Sequence, residues 1–419
     1  MKSALPKVLH TLCGREMIGW VVDQALSLDP ERILVVIGHG AEAVEEVLSK
    51  GPGSDRLQCV VQEPQLGTGH ALQVAAAELG PDPGTVVVLY GDMPVLAPES
   101  LEELVVARER AGVDGMAMLT AYPDDPRGFG RIVRDGDGEF LGIVEQKDAT
   151  PDELMIPEVN LGVYAFSGKE LLAYLPQLSN DNAQGEYYLT DVARLFDRDG
   201  KRVETLELVD LDEGIGVNNL GHLAEARWAL QVRILEDHMA RGVRIEDPAS
   251  CYIDVGVEIG SGTTILPCTV IRGGVKIGSG CEVGPFTHLR KGTVMKDGAE
   301  VGNFTESKNS TIGEGTKAKH LSYIGDADIG AGSNIGAGTI FANYDGVHKH
   351  RTEVGQGAFI GSGTTIVAPN SIGERATTGA GAVVTRTAQV GPDEVWVGIP
   401  ARHLAGAQGP QKSKTKGQK

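Results

Sequence analysis

An aspartate close behind an apolar run is the first candidate for chemistry in this chain. The run covers residues 85–90, and Asp92 follows it after one glycine. A carboxylate at the end of a strand can hold Mg²⁺ beside the phosphates of a nucleotide. The same position suits a helix N-cap or a turn, so Asp92 alone leaves both interpretations open. A second segment, residues 62–70, contains Gly67 and Gly69, which would let the backbone approach a base or a ribose closely.

A second set of candidates gathers where a repeat in the C-terminal half is interrupted. Polar, aromatic and basic residues are concentrated at 303–323 and 342–351, and insertions in repeat proteins often carry the binding face. His320 lies in the first interruption, and the ordinary pKa of a histidine is close to working pH. A lone histidine is also common as a surface residue. His348 and His350, in the second interruption, are expected to be ordinary loop residues.

The elements that must position Asp92 alternate along the first half. Residues 32–37 predict a buried strand and 41–48 a helix, and residues 85–90 predict another strand, followed by a helix at 98–111. This alternation predicts an α/β domain with a largely parallel sheet and helices on both faces. Ligands in such domains bind beyond the carboxyl ends of the strands.

The elements that must position His320 form a six-residue repeat. Between residues 253 and 396, an aliphatic residue recurs at every sixth position in four runs, and a glycine often follows it, as in Ile259-Gly260 and Ile277-Gly278. This period predicts a triangular parallel β-helix in which three hexads close a turn, the aliphatic side chain points inward and the glycine serves a corner with positive φ. Three cysteines within the repeat are expected to be packing residues: Cys251, Cys268 and Cys281.

A helical pattern separates the two halves. Leu223, Ala226, Leu230 and Ile234 recur at helical spacing, and Asn219 and Gly242 are suited to the two ends. The predicted organisation is an α/β domain at 1–218, a linker helix at 219–243, a β-helix at 244–404 and a disordered basic tail at 405–419.

Composition excludes several classes of protein. The net charge of −19 argues against a general nucleic-acid binder. The five cysteines contain no CxxC pair, which disfavours a zinc site or a disulfide framework. The chain shows no signal peptide and no long apolar run, so no membrane partner is expected and a cytoplasmic protein is predicted.

A series of short motifs occurs in order and resembles one family. They are Leu5-Pro6-Lys7-Val8-Leu9, Gln65-Leu66-Gly67-Thr68-Gly69-His70, Tyr90-Gly91-Asp92, Gly128-Phe129-Gly130-Arg131, Val144-Glu145-Gln146-Lys147-Asp148-Ala149, Asn160-Leu161-Gly162, Gln184-Gly185-Glu186-Tyr187-Tyr188-Leu189-Thr190-Asp191 and Gly216-Val217-Asn218-Asn219. Together with the repeat, they resemble the bacterial bifunctional enzymes that make UDP-N-acetylglucosamine. The resemblance covers nearly the whole chain and implies a Rossmann-like domain followed by a left-handed parallel β-helix.

For the first domain, the resemblance implies a uridylyltransferase site. Lys7 would pair with phosphates, Gln62, Gly67 and Thr68 would frame the uracil, and Asp92 and Asn218 would bind Mg²⁺. The amino sugar and its phosphate would contact Tyr90, Gly130, Glu145 and Asn160.

For the β-helix, the resemblance implies an acetyltransferase site with His320 as general base. Arg290 and Lys308 would bind the phosphate of glucosamine-1-phosphate, and Tyr323 and Asn334 would hold its sugar. Five residues would line the acetyl-CoA groove: Ala337, Asn343, Tyr344, Ser362 and Ala380.

Three departures from the family pattern are expected to matter. A strand and a Gly-rich phosphate loop precede Leu-Pro-Lys in the family. The first sheet is therefore expected to lack a strand, and the triphosphate is expected to lack its cradle of backbone amides. Either the start is placed too far downstream or this domain is inactive. The repeat is expected to be about two coils shorter than the repeat usual in the family. No arginine is evident around Val397-Gly398, where one would face the coenzyme.

The resemblance therefore implies two linked reactions. Acetyl-CoA would acetylate glucosamine-1-phosphate, and UTP would then give UDP-N-acetylglucosamine for peptidoglycan and lipopolysaccharide, with Mg²⁺ as cofactor and a homotrimer as the assembly. Two alternatives stay open: an acetyltransferase whose first domain is inactive, and a non-catalytic regulatory subunit.

Overall fold

The computed structural model describes Met1, residues 3–407 and Gly409. The chain divides into two compact units, Met1–Ala229 and Leu230–Lys419. Most of the predicted tail, 405–419, lies outside the described residues. In the part of the chain that the structure describes, no helix combines the length and the apolar character needed to cross a membrane.

The first unit alternates helices and strands. Its helices are α1 Met17–Ser27, α2 Ala41–Leu48, α3 Thr68–Ala76, α4 Pro98–Arg110, α5 Gly168–Tyr174 and α6 Thr190–Arg198, and α7 Leu220–Ala240 crosses the division between the units. Its strands are β1 Thr11–Leu12, β2 Arg15–Glu16, β3 Ile33–Ile37, β4 Leu57–Val61, β5 Thr85–Val88, β6 Met116–Ala121, β7 Gly130–Arg134, β8 Phe140–Val144, β9 Val159–Ser167 and β10 Val203–Glu207. The α/β class is confirmed.

The prediction of a largely parallel sheet is wrong. β6 pairs in parallel with β10, but β9 runs antiparallel to β5, β6 and β7, and β7 runs antiparallel to β8. A short turn joins β7 to β8, and two strands joined in that way must be antiparallel. The fully buried β9 then occupies the centre of the sheet and pairs with both β6 and β5.

The strands of this unit also do not form one sheet. β3 and β4 pair in parallel as a separate two-stranded sheet, and β5 is bonded to β9. The prediction of a buried strand at 32–37 holds only at its end, because Ile37 is buried and Ile33 to Val36 are half-buried.

The linker helix begins and ends near the residues that the sequence indicates. The side chain of Asn219 accepts a hydrogen bond of 2.9 Å from the backbone N–H of His222, which caps the helix start. Gly242 follows the helix at φ +88°, the left-handed conformation in which helices commonly end.

The second unit is a parallel β-helix with three faces. The first face contains Arg244–Ile245, Thr264–Ile265, Glu282–Val283, Glu300–Asn303, Lys317–His320, Asn334–Ile335, Phe359–Ile360, Thr377–Thr378 and Val395–Val397, with Arg402–His403 antiparallel at its end. The second contains Tyr252–Ile253, Val270–Ile271, His288–Leu289, Glu306–Lys308, Tyr323–Gly325, Ile340–Ala342, Thr365–Val367 and Val383–Val384. The third contains Glu258–Ile259, Lys276–Ile277, Val294–Met295, Thr311–Ile312, Ala327–Ile329, Thr352–Val354 and Asn370–Ile372.

The inward stack of aliphatic residues is confirmed. Ile253 pairs with Ile271, and Ile265 with Val283, so a regular coil takes 18 residues. The repeat residues of the three faces form one buried core. Leu235 of α7 belongs to this core, next to the first coil.

The role predicted for the glycines that follow the aliphatic residues is wrong. The positive φ values lie two positions further on, as at Gly262 and Gly338. A Cβ added at Gly336 would lie 2.5 Å from the backbone nitrogen of Ser362 in the next coil. These glycines therefore permit close stacking of coils and are not required for their own φ angle. Cys268 is also not a packing residue, because it is exposed at a corner with φ +57°.

The interruptions of the repeat are one short coil and one long coil. Val301 pairs with Ala318, and Ser307 with Ile324, an offset of 17 residues, so a single residue is missing and the strands continue. Ile329 pairs with Val354, an offset of 25, because residues 343–351 form an inserted loop between the second and third faces.

Candidate functional sites

Three residues predicted for nucleotide transfer meet at one point in the first unit. The ammonium of Lys7 lies 2.5 Å from Oδ2 of Asp92 and 3.1 Å from Oδ1 of Asn218. The backbone N–H of Val217 donates to the carbonyl of Asp92 at 2.9 Å and holds the two loops together. Two oxygens from separate loops therefore converge on one cation.

The loop at 62–70 is fixed by backbone contacts with the segment of Tyr187, which had no predicted role. The N–H of Gly69 donates to the carbonyl of Tyr187 at 2.7 Å. Gly67 has φ +102°, and a Cβ there would lie 2.7 Å from the same carbonyl. The side chain of Gln62 donates to the carbonyl of Gly67 at 3.0 Å and lies 3.1 Å from Nδ1 of His70. A larger residue at position 67 would separate the two segments.

Thr68 and Tyr90 extend this site towards the end of β5. Oγ1 of Thr68 accepts from the backbone N–H of Leu189 at 3.2 Å. The ring of Tyr90 packs where a Cβ on Gly162 would lie only 2.3 Å from it. Burial, with a smaller contribution from Glu145, raises the pKa of Tyr90 to about 12, so its hydroxyl remains a neutral donor at physiological pH.

Gly130 and Asn160 lie on neighbouring antiparallel strands, and Glu145 directly follows β8. Gly130 stands opposite Asn160 in the β7–β9 pair, and a Cβ on Gly130 would lie 3.7 Å from the carboxyl carbon of Glu145. Glu145 accepts from the hydroxyl of Thr190 at 3.1 Å, and burial raises its pKa. Asn160 donates to Tyr164 at 2.8 Å. The structure thus brings these three predicted residues together.

The residues that support this site had a signal in the sequence but no assigned role. Thr190 holds Glu145, Tyr187 holds the loop of Gly67, and Gly162 makes room for Tyr90. Each belongs to one of the ordered motifs, and only the fold shows what each one contacts.

In the second unit, four predicted residues occupy one corner on successive coils. The carbonyl of His320 accepts from Gly338, that of Ala337 from Gly363 and that of Ser362 from Gly381, at 3.4, 2.7 and 2.8 Å. His320, Ala337, Ser362 and Ala380 therefore stack between the first and second faces, about 4.8 Å apart per coil. We call this the His320 corner.

The cations predicted for a sugar phosphate lie at the end of the second face. Lys308 is the last residue of its strand, and Arg290 directly follows the strand of the preceding coil. Arg290 forms an ion pair of 2.6 Å with Glu306. Lys349 of the inserted loop approaches Lys308. The contact with Lys349, more than the charge of Arg290, lowers the pKa of Lys308, because crowded like charges disfavour protonation. Lys349 was missed in the sequence because the position of its loop could not be predicted.

The buried carboxylate of Asp326 holds Asn343 beside Tyr323. The side-chain amide of Asn343 donates to Oδ2 of Asp326 and lies 3.5 Å from the hydroxyl of Tyr323. Asn309 donates to Oδ1 of Asp326 at 2.5 Å. Asp326 is only 8% exposed, so it ties the start of the inserted loop to the second face.

The remaining predicted residues are placed differently. Tyr344 is exposed in the loop, and its hydroxyl donates to the carbonyl of Gly346 at 2.6 Å. Asn334 lies on the first face, three residues before Ala337 and apart from the second face that carries Tyr323. His350 lies 2.6 Å from Asp345 within the loop, in agreement with its predicted role as a loop residue.

The end of the repeat does carry an arginine. Arg402 stands opposite Val397 in the antiparallel pair that closes the first face. The arginine was expected next to Val397 along the chain, whereas the hairpin brings one beside Val397 from five residues away.

The first unit provides a partial site for a metal ion. Among the described residues, no group of three or more His, Cys, Asp or Glu side chains could hold a metal. Mg²⁺ is usually held by one or two carboxylates together with phosphate and water. Asp92 and Asn218, which both contact the ammonium group of Lys7, fit that type of site.

Comparison with known proteins divides the chain in the same way. Residues 1–194 match the MobA-like NTP transferase domain and residues 256–291 match the bacterial transferase hexapeptide model, which indicates a left-handed β-helix. The Bifunctional protein GlmU of Alkalilimnicola ehrlichii is 46% identical over 94% of this chain and 90% of the relative. The Bifunctional protein GlmU of Stutzerimonas stutzeri is 44% identical over 99% of this chain and 94% of the relative. That of Thermobifida fusca is 41% identical over 99% of this chain and 90% of the relative.

Proposed function

The chain belongs to the family of bifunctional GlmU proteins, and we propose how its residues carry out the two reactions of that family. The protein is a glucosamine-1-phosphate N-acetyltransferase and an N-acetylglucosamine-1-phosphate uridylyltransferase. We assign acetyl transfer to the β-helix and uridylyl transfer to the first unit.

In acetyl transfer, His320 acts as general base. The amine of glucosamine-1-phosphate attacks the thioester carbonyl of acetyl-CoA while His320 takes a proton from the nitrogen. The C–S bond then breaks, and coenzyme A leaves as a thiol once it is protonated. Arg290, Lys308 and Lys349 bind the phosphate, whose negative charge offsets the crowding of these cations.

The coenzyme lies along the His320 corner. Ala337, Ser362 and Ala380 line its path, and Asn343 and Tyr344 contact it from the inserted loop. Tyr323 and Asn334 hold the sugar, so that the amine lies between His320 and the thioester. Arg402 is available at the far end of the repeat for an anionic group of the coenzyme.

In uridylyl transfer, a phosphate oxygen of N-acetylglucosamine-1-phosphate attacks the α-phosphorus of UTP, and pyrophosphate leaves. Gln62, Gly67 and Thr68 position the base. Tyr90, Gly130, Glu145 and Asn160 surround the sugar, and Lys7 pairs with phosphate. Asp92 and Asn218 would hold Mg²⁺, which neutralises charge on the phosphates when it is bound.

One observation supports the acetyl-transfer assignment above the others. His320 and the three coenzyme residues of the His320 corner are separated by 17, 25 and 18 positions in the sequence, yet they form a single column. An acetyltransferase with an inactive first domain would share this column, whereas a non-catalytic subunit would need neither the column nor His320. A non-catalytic subunit would also not need the cations Arg290 and Lys308 at the end of the second face.

The test measures acetyl transfer from acetyl-CoA to glucosamine-1-phosphate, with release of the coenzyme A thiol as the readout. His320→Ala is expected to lower kcat by about a hundredfold or more, as for loss of a positioned base. His348→Ala, an exposed loop histidine, is the matched control and should retain full activity. Equal rates for the two variants would remove His320 from this role.

Assembly and location are also part of the proposal. We propose a homotrimer, because the flat faces of a triangular prism suit packing around a threefold axis, and a cytoplasmic location, because UTP and acetyl-CoA are supplied there. Light scattering tests the trimer, and a fully active monomer would contradict it.

A further inference from the structure

The His320 corner changes character at the coil that carries His320. Going up the column, the residue at the turn is Phe286, Phe304, Leu321, Gly338, Gly363 and then Gly381, and every one has a φ between +49° and +74°. The first three are large and apolar, and 51%, 59% and 61% of their surface is exposed. The last three, in the coils of Ala337, Ser362 and Ala380, have no side chain.

The three large residues are unfavourable choices for this backbone. A left-handed conformation costs an L-residue about 1–2 kcal/mol, whereas glycine adopts it freely. Exposure gives no compensating burial, although the rings of Phe286 and Phe304 stack with centroids 5.1 Å apart. Strained, exposed apolar residues where glycine would serve point to a contact with something outside the fold.

We propose, on the basis of the function proposed above, that Leu321 limits the length of the acyl group that the enzyme transfers. The coenzyme runs down the glycine part of the column, and its thioester reaches the level of His320. Leu321 is the next residue in the chain and occupies the turn at that level. Its side chain therefore stands where the acyl group would extend, and Phe304 closes the next coil below.

The dimensions agree with selection of a two-carbon group. Coils are about 4.8 Å apart, and two further carbons lengthen an acyl chain by about 2.5 Å. A butyryl group would thus reach half-way into the space that the leucine side chain fills. An apolar pocket distinguishes groups that differ by one methylene by about 10–200-fold.

The test compares acetyl-CoA with butyryl-CoA, with glucosamine-1-phosphate as acceptor and the full chain as enzyme. Leu321→Gly reproduces the turn of the coils above and removes the backbone strain, so the β-helix should fold. The ratio of kcat/KM for acetyl-CoA to that for butyryl-CoA is expected to fall at least about tenfold. Phe286→Gly, two coils below with the same backbone conformation, is the matched control, and its ratio should match that of the wild type.

Several outcomes would overturn the proposal. One is an active Leu321→Gly variant whose ratio of kcat/KM for acetyl-CoA to that for butyryl-CoA equals that of the wild type. Another is a change of this ratio in Phe286→Gly as large as the change in Leu321→Gly. A changed oligomeric mass without a changed ratio would instead assign the apolar column to contact between copies. If Leu321→Gly is inactive, calorimetry of the two acyl-CoA esters must show a relative gain in butyryl-CoA affinity. A wild-type chain that transfers no acetyl group would refute the proposed function itself, whereas an unchanged ratio in active enzyme refutes only the role of Leu321.

Discussion

Asp326→Asn is expected to destabilise the β-helix selectively. Asp326 accepts one hydrogen bond from the amide of Asn309 and one from that of Asn343, and it is buried at a corner with φ +50°. Asparagine tolerates this left-handed conformation as well as aspartate does. The substitution therefore changes charge and hydrogen bonding but not backbone strain.

The magnitude follows from the two contacts. Asparagine keeps one carbonyl oxygen and places an NH₂ group against one of the two amide donors. A hydrogen bond to a charged group contributes about 1.5–3 kcal/mol, and a buried donor left unpaired costs about 1–3 kcal/mol. We expect a loss of about 3 kcal/mol in the free energy of unfolding. For a unit of this size, that lowers Tm by about 6–12 °C.

Calorimetry can follow the β-helix because two-unit chains need not unfold in a single transition. Asp328→Asn is the control: Asp328 pairs with Arg351, each side chain is 44% exposed, and such a pair contributes less than about 1 kcal/mol. The KM for acetyl-CoA should also rise in Asp326→Asn, because Asn343 loses its anchor. Equal falls in Tm for the two variants would refute the reasoning.

Three further predictions concern the first unit. Chelation of divalent cations should abolish pyrophosphate release from UTP and leave acetyl transfer unchanged; inhibition of both activities would contradict the assignment of Asp92 and Asn218. Gly67→Ala should cost about 1–3 kcal/mol through its backbone strain and raise the KM for UTP, whereas Gly136→Ala, a turn glycine without a positive φ or a close neighbour, should change neither. Burial raises the pKa of Glu145 in the folded state, so folding is disfavoured once pH exceeds the unfolded pKa of about 4.3. Glu145→Gln should accordingly stabilise this unit at pH 7.5 but not at pH 3.5, as measured by urea unfolding, and a stabilisation of equal size at both pH values would count against burial as the cause.

Structural features that follow from a short sequence repeat are the ones that the sequence predicts best. The inward stack from Ile253 to Val390 follows from one residue in six, and it is confirmed because a β-helix repeats the same contact in every coil. The parallel sheet was predicted wrongly because alternation of strands and helices does not show that β9 enters between β5 and β6. Chain direction in a sheet is a long-range property.

The candidate sites show the same division. His320, Ala337, Ser362 and Ala380 were named from motifs, but their alignment depends on a coil of 17 residues and one of 25, which no fixed period reveals. Lys349 and Asp326 were missed for another reason. The inserted loop brings Lys349 close to Lys308 and Asn343 close to Asp326. Neither Lys349 nor Asp326 belongs to a motif with a recognisable spacing.

The hairpin at the end of the β-helix has a consequence for solubility. A stack of parallel coils ends in unpaired backbone groups, and such an edge can recruit another chain and grow into a fibre. Here the chain turns back on itself: Arg402–His403 pairs antiparallel with the last strand of the first face, and the N–H of Ala401 donates to the carbonyl of Val383 on the second. The reversal of direction interrupts the parallel pattern, so the last coil no longer offers a template for addition of another.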